Sequence, residues 1–317
     1  MAVIMSWRPR LHKKGMITAV WLCLLSSLPA LALDPSKDVF QYNCLTWTRE
    51  TGLPANTINS IVQTADGDLW LATHTGLIRF DGIEFKRVNT SSVQGSENAD
   101  VAQLAIDPAE RSAFWMGCVD PGRVAYYDGQ KIFRLETGIT NTTEGAFQSL
   151  CVAKDGTVWV GLGAGILRLP PGSKDLKSLT LDTNVSNVSS ISEGRNGRVW
   201  VGTAFQGIHY WQGGKMSQFP DAALVSEKLI AKAIVEDRQG NLWVGTHLGL
   251  RHYDAAFHLM EIPSEMVGTE VKCLLLDRQG TLWIGSSGLG LLCYRNGKLT
   301  RLWKQDGLAD DNVWSLA

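Results

Sequence analysis

The side chains that could do chemistry in this chain are few, and they recur with a period. His74 and His247 each follow a Thr at the same point of two repeated units. Asp120, Phe205 with Gln206, and Ser286 fall in the matching stretch of three other units, and Asn56 and Thr57 stand at the entry to the first. Imidazoles, an amide, hydroxyls and a carboxylate around an aromatic ring suit hydrogen-bonded recognition of a glycan or small metabolite. Taken singly, each is an ordinary turn residue, because repeats force equivalent positions. Taken together, they mark the best candidate face. No HExxH, GxSxG or Walker-type loop occurs after residue 32. Asp66, Asp68, Asp155 and Asp237 fit hairpin turns without calcium. Cys44, Cys118, Cys151, Cys273 and Cys293 are odd in number and widely spaced, with no CxxC pair. That pattern argues against a zinc site or a disulfide framework. No metal and no cofactor is expected.

These residues are placed by a repeat. Trp70, Trp115, Trp159, Trp200, Trp243 and Trp283 are separated by 45, 44, 41, 43 and 40 residues. A period of ~40–45 is that of a four-stranded propeller blade. A Gly precedes Trp by three positions in five units, at Gly67, Gly156, Gly197, Gly240 and Gly280. Asp66-Gly67, Asp155-Gly156 and Asn196-Gly197 predict two-residue type I′ hairpins. The second unit has no such Gly, and a longer turn is expected there. Two residues after each Trp stands Ala72, Gly117, Gly161, Gly202, Gly245 or Gly285. A small residue in mid-strand predicts close approach of a neighbour. Apolar residues flank each Trp, so its strand is expected to be buried on both faces. The Trp side chains are therefore assigned to packing between blades rather than to sugar stacking. His209 and His252 are expected at the surface of third strands, and His258 in a turn or fourth strand.

The fold class predicted is all-β, a β-propeller with six full blades at about 50–90, 98–136, 146–181, 187–219, 229–262 and 270–303. The stretch from Asp306 to Ser315 matches Thr51 to Ser60, the opening of the first unit. A partial seventh blade, from 39–48 and 306–317, is expected, and with it an incomplete seven-bladed ring.

The first 32 residues carry Arg8, Arg10, Lys13 and Lys14, an apolar stretch from Met16 to Leu28, and Ala30-Leu31-Ala32. They read as a secretory signal cleaved after Ala32, with a retained N-terminal anchor as the rival reading. Without them the chain has 26 basic residues against 31 acidic ones, a net charge of −5. Such a balance gives no footprint for nucleic acid.

The segment Trp47 to Phe85, WTRETGLPANTINSIVQTADGDLWLATHTGLIRFDGIEF, closely resembles the two-component regulator propeller repeat. The resemblance recurs six times over residues ~40–317. It implies a periplasmic sensor region, ahead of a membrane span and a histidine kinase or diguanylate cyclase. The chain would then be a non-catalytic N-terminal fragment that binds a small molecule or glycan. Membrane contact would come only through downstream segments, and a homodimer is an option for the full-length protein. The runner-up is a propeller lyase acting on a polysaccharide or cyclic peptide, with His74 and His247 as candidate bases. A protein-interaction scaffold is the third reading.

Overall fold

A computed structural model describes residues 3–5, 44–55, 57–91, 99–119, 123–136, 146–173 and 180–317. It contains six four-stranded antiparallel sheets, each ordered along the chain, with neighbouring strands paired. Blade one comprises Ser60–Gln63, Leu69–Thr73, Gly76–Phe80 and Phe85–Val88. Blade four, as a second example, comprises Val188–Glu193, Val199–Thr203, Ile208–Gln212 and Lys215–Gln218. The Trp-bearing second strand is buried at every position in blades two to six. The six Trp residues expose 0–6 % of their surface, which bears out their assignment to the core. The first five pack across a wedge onto the next sheet, as where Trp70 lies 4.9 Å from Phe114 of blade two, centroid to centroid. Trp283 packs on Leu308 and Val313 of the C-terminal segment.

The small residue after Trp is where blades touch. A Cβ on Gly161 or Gly245 would run into Val188 or Val271 of the following blade's first strand. At Gly202 it would meet the backbone oxygen of Ala231 at 2.7 Å. Close stacking of this kind gives each sheet two covered faces, which one blade alone could not obtain.

The hairpins between first and second strands depart from expectation. Only Asn196-Gly197 has positive φ at both positions (54° and 68°), as type I′ requires. Elsewhere Gly alone is left-handed, as at Gly67, Gly156, Gly240 and Gly280. Asp66 and Asp155, directly before Gly, accept the N–H groups of Asp68 and Thr157, and an Asp three residues before Gly is the acceptor in blades five and six. Asp237 Oδ1 takes the N–H groups of Gln239 and Asn241, and Asp277 Oδ1 those of Gln279 and Thr281. That Asx geometry satisfies the turn without forcing Asp into a conformation that costs free energy. The second blade makes the longer turn expected, with Asp107 and Ala113 closing it.

Among the described residues no seventh blade is formed. Cys44–Thr46 pairs with Val3–Met5, and residues 307–317 contribute only an isolated bridge from Asn312 to Ser287. Apart from Val3–Met5, the expected signal segment and the segment 39–43 lie outside the described residues. Cleavage after Ala32 would remove the strand that Cys44–Thr46 pairs with.

The predicted likeness between 51–60 and 306–315 is nevertheless built into the backbone. Thr51, Gly52 and Leu53 donate to Thr48, Arg49 and Thr48, while Asp306, Gly307 and Leu308 donate to Trp303, Lys304 and Trp303. Gly52 and Gly307 have φ of 100° and 110°, and Leu53 and Leu308 are both buried. The first entry turn packs on blade one and the second on blade six, and Thr46 Oγ1 donates to the Gly307 carbonyl at 2.9 Å between them.

Candidate functional site

Each blade sends the turn between its second and third strands to the end of the ring opposite the Asx hairpins. One device holds four of these turns. The hydroxyls of Thr73, Thr203, Thr246 and Ser286 donate to the carbonyls of Gly76, Gly207, Gly249 and Gly290 at 2.7–2.9 Å. All four are buried, so the donors satisfy carbonyls that water cannot reach. Ser286 therefore belongs to the turn, a correction to its place among the ligand-facing candidates. Its hydroxyl also accepts the N–H of Leu289.

On this scaffold the two candidate histidines differ. His74 is 60 % exposed at its side chain, with Nδ1 3.0 Å from Asp100 Oδ1 at the start of blade two. The carboxylate can only accept, so the geometry puts a proton on Nδ1 and leaves Nε2 as an outward acceptor. His247 has the opposite arrangement: its Nδ1 accepts the N–H of Ile230 at 3.2 Å, so its proton sits on Nε2. Phe205, in the equivalent turn of blade four, is 54 % exposed. Gln206 is fixed, because its Oε1 accepts the N–H of Ser186 at 2.8 Å. Asn56 and Asp120, along with most of the loops at 90–99 and 137–147, lie outside the described residues.

Thr57 lines a cavity of about 730 Å³ with Thr48, Arg49, Glu50, Asp310, Asn312 and Trp314. The cavity opens between the two entry turns, between blade one and blade six. Asp310 is held ionised, its carboxyl lowered by hydrogen bonds from the Asn312 backbone and side chain. Trp314 is 47 % exposed, with the Lys272 ammonium 4.3 Å from its ring centroid. Apart from Thr57, none of these residues stood out in the sequence, since their meeting depends on where the two copies of the entry turn come together.

Nearby, Glu270 takes the ammonium groups of Lys232 and, at 2.8 Å, Lys272. Burial raises its carboxyl pKa, but the two lysines outweigh that and bring it below the ordinary glutamate value. A depressed pKa means that the contact stabilises the fold above the unfolded pKa and is lost as pH falls through the folded one. Glu270→Gln is therefore expected to lower the melting temperature at pH 7, with the gap from wild type closing below about pH 4. Melting curves from pH 3 to 7 check this.

The other titratable groups are structural. Burial pushes the Cys151 and Cys273 thiols up to about 12, far from nucleophilic. His252 is not a surface residue of its strand as expected. It stacks on Trp243 at 3.6 Å, its Nε2 is buried without a partner, and burial lowers its pKa. His209 Nδ1 is likewise buried and unpartnered. His258 sits in a turn against Asp254. Among the described residues no group of three His, Cys, Asp or Glu could hold a metal, and no helix is long and apolar enough to cross a membrane.

The sequence profile "Two component regulator propeller" matches residues 52–75, 183–205, 226–247 and 265–288. No curated protein matches the chain. Among solved structures, it is similar to the extracellular domain of BT4673 from B. thetaiotaomicron, described as a one component or hybrid two component system. The first of those two structures has 21 % identity and a TM-score of 0.68 over 83 % of this chain and 36 % of that one. The chain thus spans about a third of that domain. PorZ, a surface component of the type-IX secretion system of Porphyromonas gingivalis, has 16 % identity and a TM-score of 0.65 over 87 % and 46 %. Virginiamycin B lyase from Staphylococcus aureus has 13 % identity and a TM-score of 0.61 over 77 % and 83 %. At these identities the likenesses show the fold. Four segments of the chain match the two component regulator propeller repeat, and each match ends on or just past a Trp strand of the same plan.

Proposed function

We propose that this propeller is the extracytoplasmic, ligand-binding input of a two-component-type signalling protein, non-catalytic in itself, and that it receives a glycan or small metabolite. The observation that carries the reading is the cavity of about 730 Å³ between the two entry turns. It combines an exposed indole, two carboxylates, a guanidinium and an amide, a donor and acceptor set that suits hydroxylated ligands. The turn end also carries the exposed Phe205 ring and the His74–Asp100 pair. A signal segment cleaved after Ala32 is part of the proposal, and so is a seventh blade entered at the turn of Trp303 to Leu308.

A thermal-shift screen against oligosaccharides and small metabolites tests the reading. A true ligand at 100 times its Kd adds about 2.7 kcal/mol of stability. Trp314→Ala and Phe205→Ala are expected to remove most of the shift. If no compound shifts wild type, the scaffold reading gains.

One observation favours a lyase as the second reading: Asp100 orients His74 with Nε2 free as a base. Loss of any measured lyase turnover in His74→Ala, with binding retained, would support it.

A further inference from the structure

At the opposite end of the ring, the wedge between blades three and four holds a cavity of about 130 Å³. Trp159 and Arg168 of blade three and Glu193 and Trp211 of blade four line it, with Asp155 and Thr157 at the hairpin. Trp159 is 4 % exposed, yet its indole N–H is buried without a partner. Orphan donors of this kind are rare and costly, and each calls for an acceptor. Arg168 makes no ion pair among the described residues. Its guanidinium carbon lies 5.2 Å from the Trp211 ring centroid and 6.0 Å from that of Trp159.

The next wedge shows what a filled version of this site looks like. There Trp200 donates its indole N–H to Glu236 at 2.7 Å. Arg198 lies over the Trp200 ring at 5.1 Å, and Phe257 packs edge-on to it at 6.0 Å. Position by position, Glu193 stands for Glu236, but it is drawn to the backbone N–H of Lys154 at 2.9 Å. Thr157 stands for Arg198, and the turn Gly213-Gly214 for the one that carries Phe257. Both glycines have open space where a Cβ would go. The sequence has thus removed both side chains that plug the neighbouring wedge while keeping the Trp, the carboxylate and the aromatic wall.

The lining also sets the ligand class. Asp155 and Glu193 are balanced by Arg168 and by Lys154, whose ammonium lies 4.0 Å from Glu193, so the lining carries no net charge for an ion to neutralise, while the orphan N–H needs an acceptor oxygen. A hydroxyl meets both demands, accepting from Trp159 and donating to a carboxylate, while its carbon skeleton lies on an aromatic face. The volume equals about four waters. We propose that the wedge between blades three and four is a second binding site, which takes a small neutral polyol. It stands apart from the ligand-bearing end proposed above.

Glycerol titrated into the ¹⁵N-labelled protein, with the indole N–H resonances followed by NMR, tests this. The Trp159 resonance is assigned as the one missing in Trp159→Phe, which keeps an aromatic ring and drops the N–H. The expected result is a saturable shift of that resonance, with a half-point on the order of 1–10 mM. Thr157→Arg, which rebuilds the plug of the next wedge, is expected to weaken the response at least tenfold while the other indole resonances stay in place. The proposal is overturned by a Trp159 resonance that does not move, as a tightly held bridging water would leave it. It is equally overturned by acetate matching glycerol, or by Thr157→Arg responding like wild type.

Discussion

Gly202→Ala is expected to lower stability by about 2 kcal/mol, a drop in melting temperature on the order of 5 °C. The added methyl would sit 2.7 Å from the Ala231 carbonyl oxygen and 2.8 Å from the Ala231 Cβ, both in the next blade. Neither is the free end of a flexible side chain, so relief requires the two sheets to part. Parting them loosens the Trp200 contacts across the same wedge. In an open position Gly→Ala gains up to ~1 kcal/mol from the unfolded chain, so a loss here is a packing signal against the backbone trend. Thermal or urea unfolding of the variant measures it, and an unchanged or raised midpoint would contradict the close approach.

Trp200→Ala is expected to cost more, about 3–5 kcal/mol. The ring is fully buried among Phe219, Tyr210 and Phe257, and its N–H is the donor for Glu236, whose side chain is 5 % exposed. Truncation leaves both a large void and a carboxylate short of a donor. Trp200→Phe narrows the difference, since it keeps a six-membered ring and loses the hydrogen bond together with part of the ring volume, at about 1–3 kcal/mol for the bond and a smaller void than alanine leaves. Trp159→Phe makes the contrast. The same substitution there removes an unpaired donor and is expected to be far milder. Similar losses at both positions would refute the difference drawn between the two wedges.

The architecture was legible because a period and a residue type coincide. Six Trp at 40–45 residues, each with a small residue two positions on, leave few alternatives to stacked four-stranded sheets. The turns were legible in place but not in type. Asp66 and Asp155 before Gly were read as type I′ pairs, whereas their carboxylates accept the N–H two residues on. The hydroxyl at Ser286 was misread for a related reason. Its kinship with Thr73, Thr203 and Thr246 is visible in the sequence and marks a turn staple rather than a ligand contact. The stacking of His252 on Trp243 depends on cross-strand register, which places the two opposite each other. The orphan N–H of Trp159 depends on Glu193 choosing a backbone partner instead. The lining of the larger cavity depends on two entry turns ~255 residues apart coming side by side. Contacts of that sort are properties of assembled wedges and leave no local mark.

The contact between the mid-strand glycine and the following blade has a consequence for how such chains can change. Gly161 meets Val188 and Gly245 meets Val271, the same contact at two seams, while Gly117 meets the ring of Phe147. Seams of matching shape allow blades to be exchanged or copied, since a transplanted unit finds the complement it left. The seam at Phe147 does not, and a unit moved across it would need a compensating change in its neighbour. Growth of the array by duplication is therefore easier at the seams of blades three and four and of five and six, which share the contact, than at the junction of two and three.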